Sequence, residues 1–143
     1  TPRQASGIEM LPLEELLARS DFISIHVALA PATRNLRDAG KIALMKPGSV
    51  LVNTARGGIV DEQALADALA CGKLSAAGID VFEREPVAAD NPLLRLPNVV
   101  ATPHIGSATT LTRARMADMA AANAIAALQG QVMPCCVNPQ VYG

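Results

Sequence analysis

Several polar side chains in this chain follow immediately on short apolar runs: His26, then Asn53-Thr54-Ala55-Arg56-Gly57-Gly58, then Asp80 with Glu83-Arg84-Glu85-Pro86 beyond it, then His104. In an open parallel sheet, ligands bind outside the carboxyl ends of the strands. Residues in those positions are therefore the first candidates for chemistry. Arg56 lies between a β-branched run and two glycines that let backbone come close to a ligand. Its planar, permanently charged fork suits a carboxylate. The same arginine could instead hold a helix C-terminus. Glu85 and His104 are of the right types for a carboxylate–imidazole pair, in which the carboxylate fixes the ring tautomer and favours the protonated form for acid catalysis. Spacing alone leaves open a structural hydrogen bond for His104 and a solvated loop charge for Glu85. For His26 the structural reading is preferred.

The elements that must carry these residues alternate. Leu13, Leu16 and Leu17 fall at helical spacing over Pro12 to Arg19, behind a proline suited to a helix start. Phe22 to Val27 reads as a first strand, Ala28 to Thr33 as a loop, and Asp38 to Met45 as a short helix stopped by Pro47-Gly48. Val50-Leu51-Val52 is a continuous run of the kind buried on both faces of a parallel sheet. Asp61 is a good N-cap, Glu62 and Asp67 complement the helix dipole, and Leu65 and Leu69 lie at i, i+4 before Gly72. Ala76 to Phe82 predicts a third strand, Val99 to Ala101 a fourth, and about Ala108 to Leu128 a long alanine-rich helix stopped by Gly130. The fold class expected is α/β, with right-handed crossovers and a parallel sheet covered on both faces. Residues 131–143, with Pro134 and Pro139 and no periodicity, read as a segment leaving a domain that spans 1–130.

Composition narrows the function. The chain has 143 residues, half of them hydrophobic and 17% charged, which is enough apolar material for the core of one domain. Twelve basic against thirteen acidic side chains give a net charge of -1, without the basic excess that a nucleic-acid surface needs. Aromatic residues make up 2%, so stacking platforms are not expected. No apolar run reaches the roughly 18 residues that cross a bilayer. Three cysteines, Cys71 and the adjacent Cys135-Cys136, with two histidines, support reduced thiols in a cytoplasmic protein rather than a metal site or a disulfide framework. The chain does not begin with Met and shows no basic-then-apolar leader, which is expected of a processed chain or a piece of a longer one.

Four ordered motifs then carry a family resemblance. Met45 to Asp61 (Met-Lys-Pro-Gly-Ser-Val-Leu-Val-Asn-Thr-Ala-Arg-Gly-Gly-Ile-Val-Asp) resembles the signature of the D-isomer-specific 2-hydroxyacid dehydrogenases. So do Leu16 to Asp38, Gly78 to Phe82 with Glu85-Pro86, and Thr102-Pro-His-Ile-Gly106. The resemblance extends from about Leu11 to Asn138. It implies the second half of a Rossmann-like dinucleotide-binding domain, with NAD or NADP as cofactor, in a parent enzyme resembling glyoxylate/hydroxypyruvate reductases and phosphoglycerate dehydrogenases. The substrate implied is a small 2-oxo acid such as glyoxylate, hydroxypyruvate or 3-phosphohydroxypyruvate, reduced by a homodimer.

Residue by residue, the resemblance places the family's substrate-binding arginine on Arg56, its catalytic glutamate on Glu85 and its proton-donating histidine on His104. Dinucleotide contacts fall on Val27, Thr54, Ala55, Arg56, Asp80, His104 and Gly106. Glu85 disfavours a formate dehydrogenase, whose branch carries glutamine there; a phosphite-oxidising relative keeps all three residues. A transcriptional corepressor with the same fold is the alternative from another class, and an inactive fragment is a third. Two departures stand out. His26-Val27-Ala28 replaces the family's His-x-Pro, which leaves that loop less rigid. The Gly-x-Gly-x-x-Gly turn that holds the pyrophosphate does not occur, and the family places it upstream of Thr1-Pro2-Arg3. The chain by itself is therefore expected neither to bind a dinucleotide fully nor to turn over substrate, and its apolar edge strand is expected to promote association.

Overall fold

The computed structural model describes residues 7–36 and 38–142. Thr1-Pro2-Arg3 lie outside the described residues. The chain divides into two compact units, Thr1–His104 and Ile105–Gly143.

In the first unit, helix α1 (Leu13–Arg19), strand β1 (Phe22–Ile25), helix α2 (Ala39–Leu44), strand β2 (Ser49–Asn53), helix α3 (Glu62–Ala70), strand β3 (Leu74–Ile79), a 3-10 turn (Pro92–Arg95) and strand β4 (Val99–Ala101) follow in order. The strands form one sheet in the order β1-β2-β3-β4, every neighbouring pair parallel. That is the α/β alternation expected from the periodicity. The helix starts have local causes. The carboxylates of Asp38 and Asp61 accept the backbone N–H of Lys41 and Ala64, each at 2.9 Å, satisfying amides that the first turn leaves unpaired. Leu17, Leu51, Ile59, Leu65, Leu74 and Leu93 are fully buried and join α1, β2, α3, β3 and the 3-10 turn in one core. Burying each such side chain contributes about 1.5–3 kcal/mol.

Two strands end earlier than expected, and one burial pattern differs. β1 ends at Ile25, because its partner Asn53 is the last residue of β2 and turns away; His26 and Val27 are loop. β3 runs from Leu74 to Ile79, so Asp80, Val81 and Phe82 already belong to the following loop. The Asp80 N–H still continues the ladder to Asn53 O at 3.0 Å. Nor is Val50-Leu51-Val52 buried on both faces: Leu51 is inaccessible while Val50 and Val52 are half-buried, and in β1 Phe22 is exposed beside the buried Ile23. Alternation of this kind puts the core on one sheet face.

The second unit is built on helix α4 (Thr110–Leu128), whose N-cap Thr109 accepts the Thr112 N–H at 3.1 Å. The tail folds back on it. Asn123 takes both sides of the Cys135 backbone, accepting its N–H at 3.0 Å and donating to its carbonyl at 3.3 Å, and the Met133 N–H donates to the Tyr142 hydroxyl. A further 3-10 turn covers Pro139–Tyr142, where no regular element was expected.

One glycine in the first unit is required by contact rather than by φ. A Cβ on Gly57 would stand 1.9 Å from Phe82 O and 2.1 Å from Phe82 C. Backbone cannot yield to that overlap as a flexible side chain would. Gly57→Ala should therefore destabilise by about 1–3 kcal/mol or more, whereas Gly40→Ala, which meets nothing nearer than 3.4 Å, should be neutral or slightly stabilising; urea midpoints of the two variants check the contrast.

Candidate active site

Parallel register lines up the strand ends. Ile25 pairs with Asn53, Asn53 with Ile79, and Ile79 with Ala101, so His26, Thr54, Asp80 and Thr102 all step off the sheet at one level. Chemistry on this rim follows from what holds each loop.

Beyond β2, Asn53 is buried and its amide shapes the turn, accepting the Ala55 N–H at 3.1 Å and donating to Arg56 O at 3.0 Å. The Arg56 guanidinium donates to Ala55 O at 2.6 Å and is exposed at the rim. Beyond β4, the Thr102 N–H donates to Ile79 O and the His104 N–H to Asp80 O, both at 2.9 Å. These bonds hold His104 at φ +54°, a left-handed conformation that costs a non-glycine residue about 1–3 kcal/mol. Strain of this kind persists only where surroundings impose it.

The ring so placed meets Glu85. His104 Nδ1 lies 2.8 Å from Glu85 Oε2, and Glu85 Oε1 accepts the Phe82 N–H at 3.1 Å. The peptide bond between Glu85 and Pro86 is cis. The His104 ring first, and then the Phe82 amide, hold the Glu85 carboxyl below the usual carboxylate range, against partial desolvation and the nearby Asp80 charge. A carboxylate on Nδ1 leaves Nε2 as the nitrogen that can face a substrate. Asp80 itself is buried and accepts a hydrogen bond from the Thr102 hydroxyl.

Three hollows share these residues. Arg56, Glu85 and His104 line one of about 260 Å³ together with Leu29, Gly57 and Phe82. Val27, Thr54, Ala55 and Arg56 border a second of about 560 Å³ with His26 and Leu29. Asp80 joins Glu85 and His104 around a third of about 470 Å³, walled by Phe82, Pro86, Val87 and Pro103. Seven of the eight residues singled out from the sequence thus gather on one rim, and the eighth, Gly106, belongs to the second unit. Asn53 and Thr102 were given no role from sequence, although a short polar side chain directly after a strand is a known turn former. Among the described residues, no three His, Cys, Asp or Glu side chains gather as a metal site would require.

The donor set fits the nicotinamide end of a dinucleotide. An apolar-walled hollow suits the ring, and the Asp80 carboxylate borders that hollow.

The model of the D-isomer specific 2-hydroxyacid dehydrogenase, NAD binding domain, matches residues 1–106. The chain is 55% identical over 129 residues to a glyoxylate/hydroxypyruvate reductase B of Pectobacterium atrosepticum, covering 90% of this chain and 40% of that protein. It is 48% identical to a glyoxylate reductase of Korarchaeum cryptofilum, covering 94% of this chain and 41% of that one. Among solved structures, a Thermus thermophilus protein superposes with a TM-score of 0.91 at 46% identity, covering 96% of this chain and 43% of its own. An NADPH-dependent glyoxylate/hydroxypyruvate reductase of Sinorhizobium meliloti, in complex with NADP and malonate, gives 0.82 at 37% identity, covering 88% and 40%.

The chain belongs to the D-isomer specific 2-hydroxyacid dehydrogenase family, within its NAD-binding domain, and its parallel α/β sheet is Rossmann-like. It spans about 40% of the length of the curated relatives it matches.

Because the folded-state value of Glu85 is depressed, its pairing contributes stability above the ordinary carboxylate range and loses it as pH falls through that lowered value. Glu85→Gln should therefore be less stable than wild type near pH 7, with the gap closing as pH falls below the ordinary carboxylate range; denaturation midpoints from neutral to acid pH measure it.

Proposed function

We propose that this segment carries the catalytic rim of an NAD(P)H-dependent reductase of small 2-oxo acids, glyoxylate and hydroxypyruvate being the substrates that its relatives' names suggest. The observation that carries the reading is the His104–Glu85 pair at 2.8 Å, bordering the same hollow as Arg56.

Arg56 binds the substrate carboxylate through a planar fork and so orients the adjacent carbonyl. A nicotinamide held on the side of the rim lined by Val27, Thr54, Ala55 and Asp80 would supply the hydride to C2. His104 Nε2 gives its proton to the carbonyl oxygen as negative charge develops there, and Glu85 on Nδ1 fixes the ring and favours the imidazolium. In the reverse direction the same nitrogen takes the hydroxyl proton. Val27, Thr54, Ala55 and Asp80 line the cofactor side. The enzyme acts in the cytoplasm, consistent with three unpaired cysteines. No described helix is long and apolar enough to cross a membrane. Assembly as a homodimer is supported by the exposed Leu111, Met116, Met119 and Ile125 of α4, and sedimentation of the intact protein tests it.

In a chain of full family length carrying this segment, His104→Ala should lower kcat by on the order of 10²- to 10⁴-fold while cofactor affinity barely moves. Arg56→Lys, which replaces a fork by a point charge, should cost kcat/KM about 2–3 kcal/mol. Steady-state kinetics with glyoxylate and hydroxypyruvate, beside cofactor titration, read both. Near-normal turnover in either variant would remove that residue from the mechanism.

A further inference from the structure

Glu85 sits on an irregular segment, residues 80–91, with no strand or helix of its own to hold it. Its start is held by the Asp80 backbone bonds to Asn53 and His104 and by the buried Val81 and Phe82, and beyond them it is tied to α3. The Glu62 carboxylate, in the first turn of that helix, accepts the Glu83 N–H on Oε1, and on Oε2 it accepts the Asn91 side-chain amide at 2.6 Å. Asn91 is anchored in turn, since its side-chain carbonyl oxygen accepts the Leu93 N–H at 3.0 Å and Leu93 is fully buried. One carboxylate therefore ties Glu83 and Asn91 to a capped helix and, through Leu93, to the core. Glu83 is two residues from Glu85, and Phe82, whose N–H donates to Glu85, is the residue just before it.

We propose that Glu62 is a positioning residue that sets the Glu85 carboxylate against the His104 ring by clamping the segment between Glu83 and Asn91. The inference rests on the catalytic reading of Glu85 and His104 given above, but its geometry does not. Two hydrogen bonds to an ionised acceptor are shorter and stronger than neutral ones, which suits a clamp rather than incidental contact. The Glu83 side chain adds a looser tie, 3.7 Å from Arg34 at the surface, and a pair so exposed contributes little. Without Glu62, the Gly57–Phe82 contact and the buried Val81 and Phe82 would still hold the start of the segment, but the tie from α3 to Glu83 and Asn91 would be lost.

The test is the titration of the Glu85 carboxyl, followed by NMR in intact protein with labelled glutamate and assigned with Glu85→Gln. The charged groups facing that carboxyl are His104 and Asp80, with Arg56 and Glu83 bordering the same hollow. In Glu62→Ala the carboxyl should take up its proton at higher pH than in wild type, nearer the ordinary carboxylate range, because it is no longer held against the His104 ring and the Phe82 amide. Glu62→Gln keeps one acceptor and should fall between. In the active enzyme kcat should drop on the order of 10-fold or more, with the KM for cofactor little changed. If Glu62→Ala does not fold, Asn91→Ser keeps the cap on Leu93 but loses the arm to Glu62, and should move the titration partway in the same direction. A wild-type titration curve in Glu62→Ala, or in both Glu62→Gln and Asn91→Ser, overturns the clamp. Failure of the wild-type enzyme to reduce any 2-oxo acid would overturn the proposed function instead, and the titration would still decide on Glu62.

Discussion

The rim of this domain depends on one missing side chain. At Gly57 the backbone of the β2–α3 loop lies so close to Phe82 that a methyl group would overlap its carbonyl. That approach places Arg56 on one side of a small hollow and Glu85 with His104 on the other. Everything else at the site arranges itself around this contact. Asn53 shapes the loop from below, and Gly58 leaves it at φ +75°, a conformation open to glycine at little cost. A cation and a carboxylate–imidazole pair reach one cavity from two loops because the loops are permitted to touch.

Strand register supplies the second constraint. Parallel pairing fixes Ile25, Asn53, Ile79 and Ala101 in one row, and each loop leaves from that row. A shift of one residue in any strand would turn its side chains to the opposite face and move its loop along the sheet by about 3.3 Å. Apolar burial prevents this, since Leu51, Ala77 and Ile79 would exchange places with the half-buried Val52 and Gly78. Core packing and the geometry of the rim are thus one requirement.

Much of this was legible in the sequence, for identifiable reasons. Helix starts could be read because Asp38 and Asp61 are side chains with a single strong preference there, and both cap as that preference dictates. Arg56, Glu85 and His104 could be named because their motifs match a family residue by residue. Strand ends could not. Asp80-Val81-Phe82 has the apolar character of a strand, and only the end of its pairing with β2 at Asn53 stops β3 at Ile79. The one-sided burial of Val50-Leu51-Val52 was equally hidden, since a continuous β-branched run looks the same whether one face or two is covered. Glu62 was read from sequence as a helix-dipole residue, and its reach to Glu83 and Asn91, 21 and 29 positions away, belongs to the fold alone.

The exposure of the His104–Glu85 pair limits how strongly it couples. His104 and Glu85 remain 45% and 40% accessible at the side chain, so water screens much of their attraction. Two unit charges about 4 Å apart interact by about 1 kcal/mol in bulk water and about 4 kcal/mol at the effective dielectric of a protein surface. In the proposed mechanism, a ligand that settles over the rim would do more than present itself to His104. By excluding water it would strengthen the hold of Glu85 on the ring when its proton is needed, and equally the pull of Arg56 on a substrate carboxylate. The apolar walls of Phe82, Pro86 and Val87 beside the pair serve that exclusion. On this reasoning the site is poised by its hydrogen bonds and completed by desolvation, with the geometry set in advance by the loops.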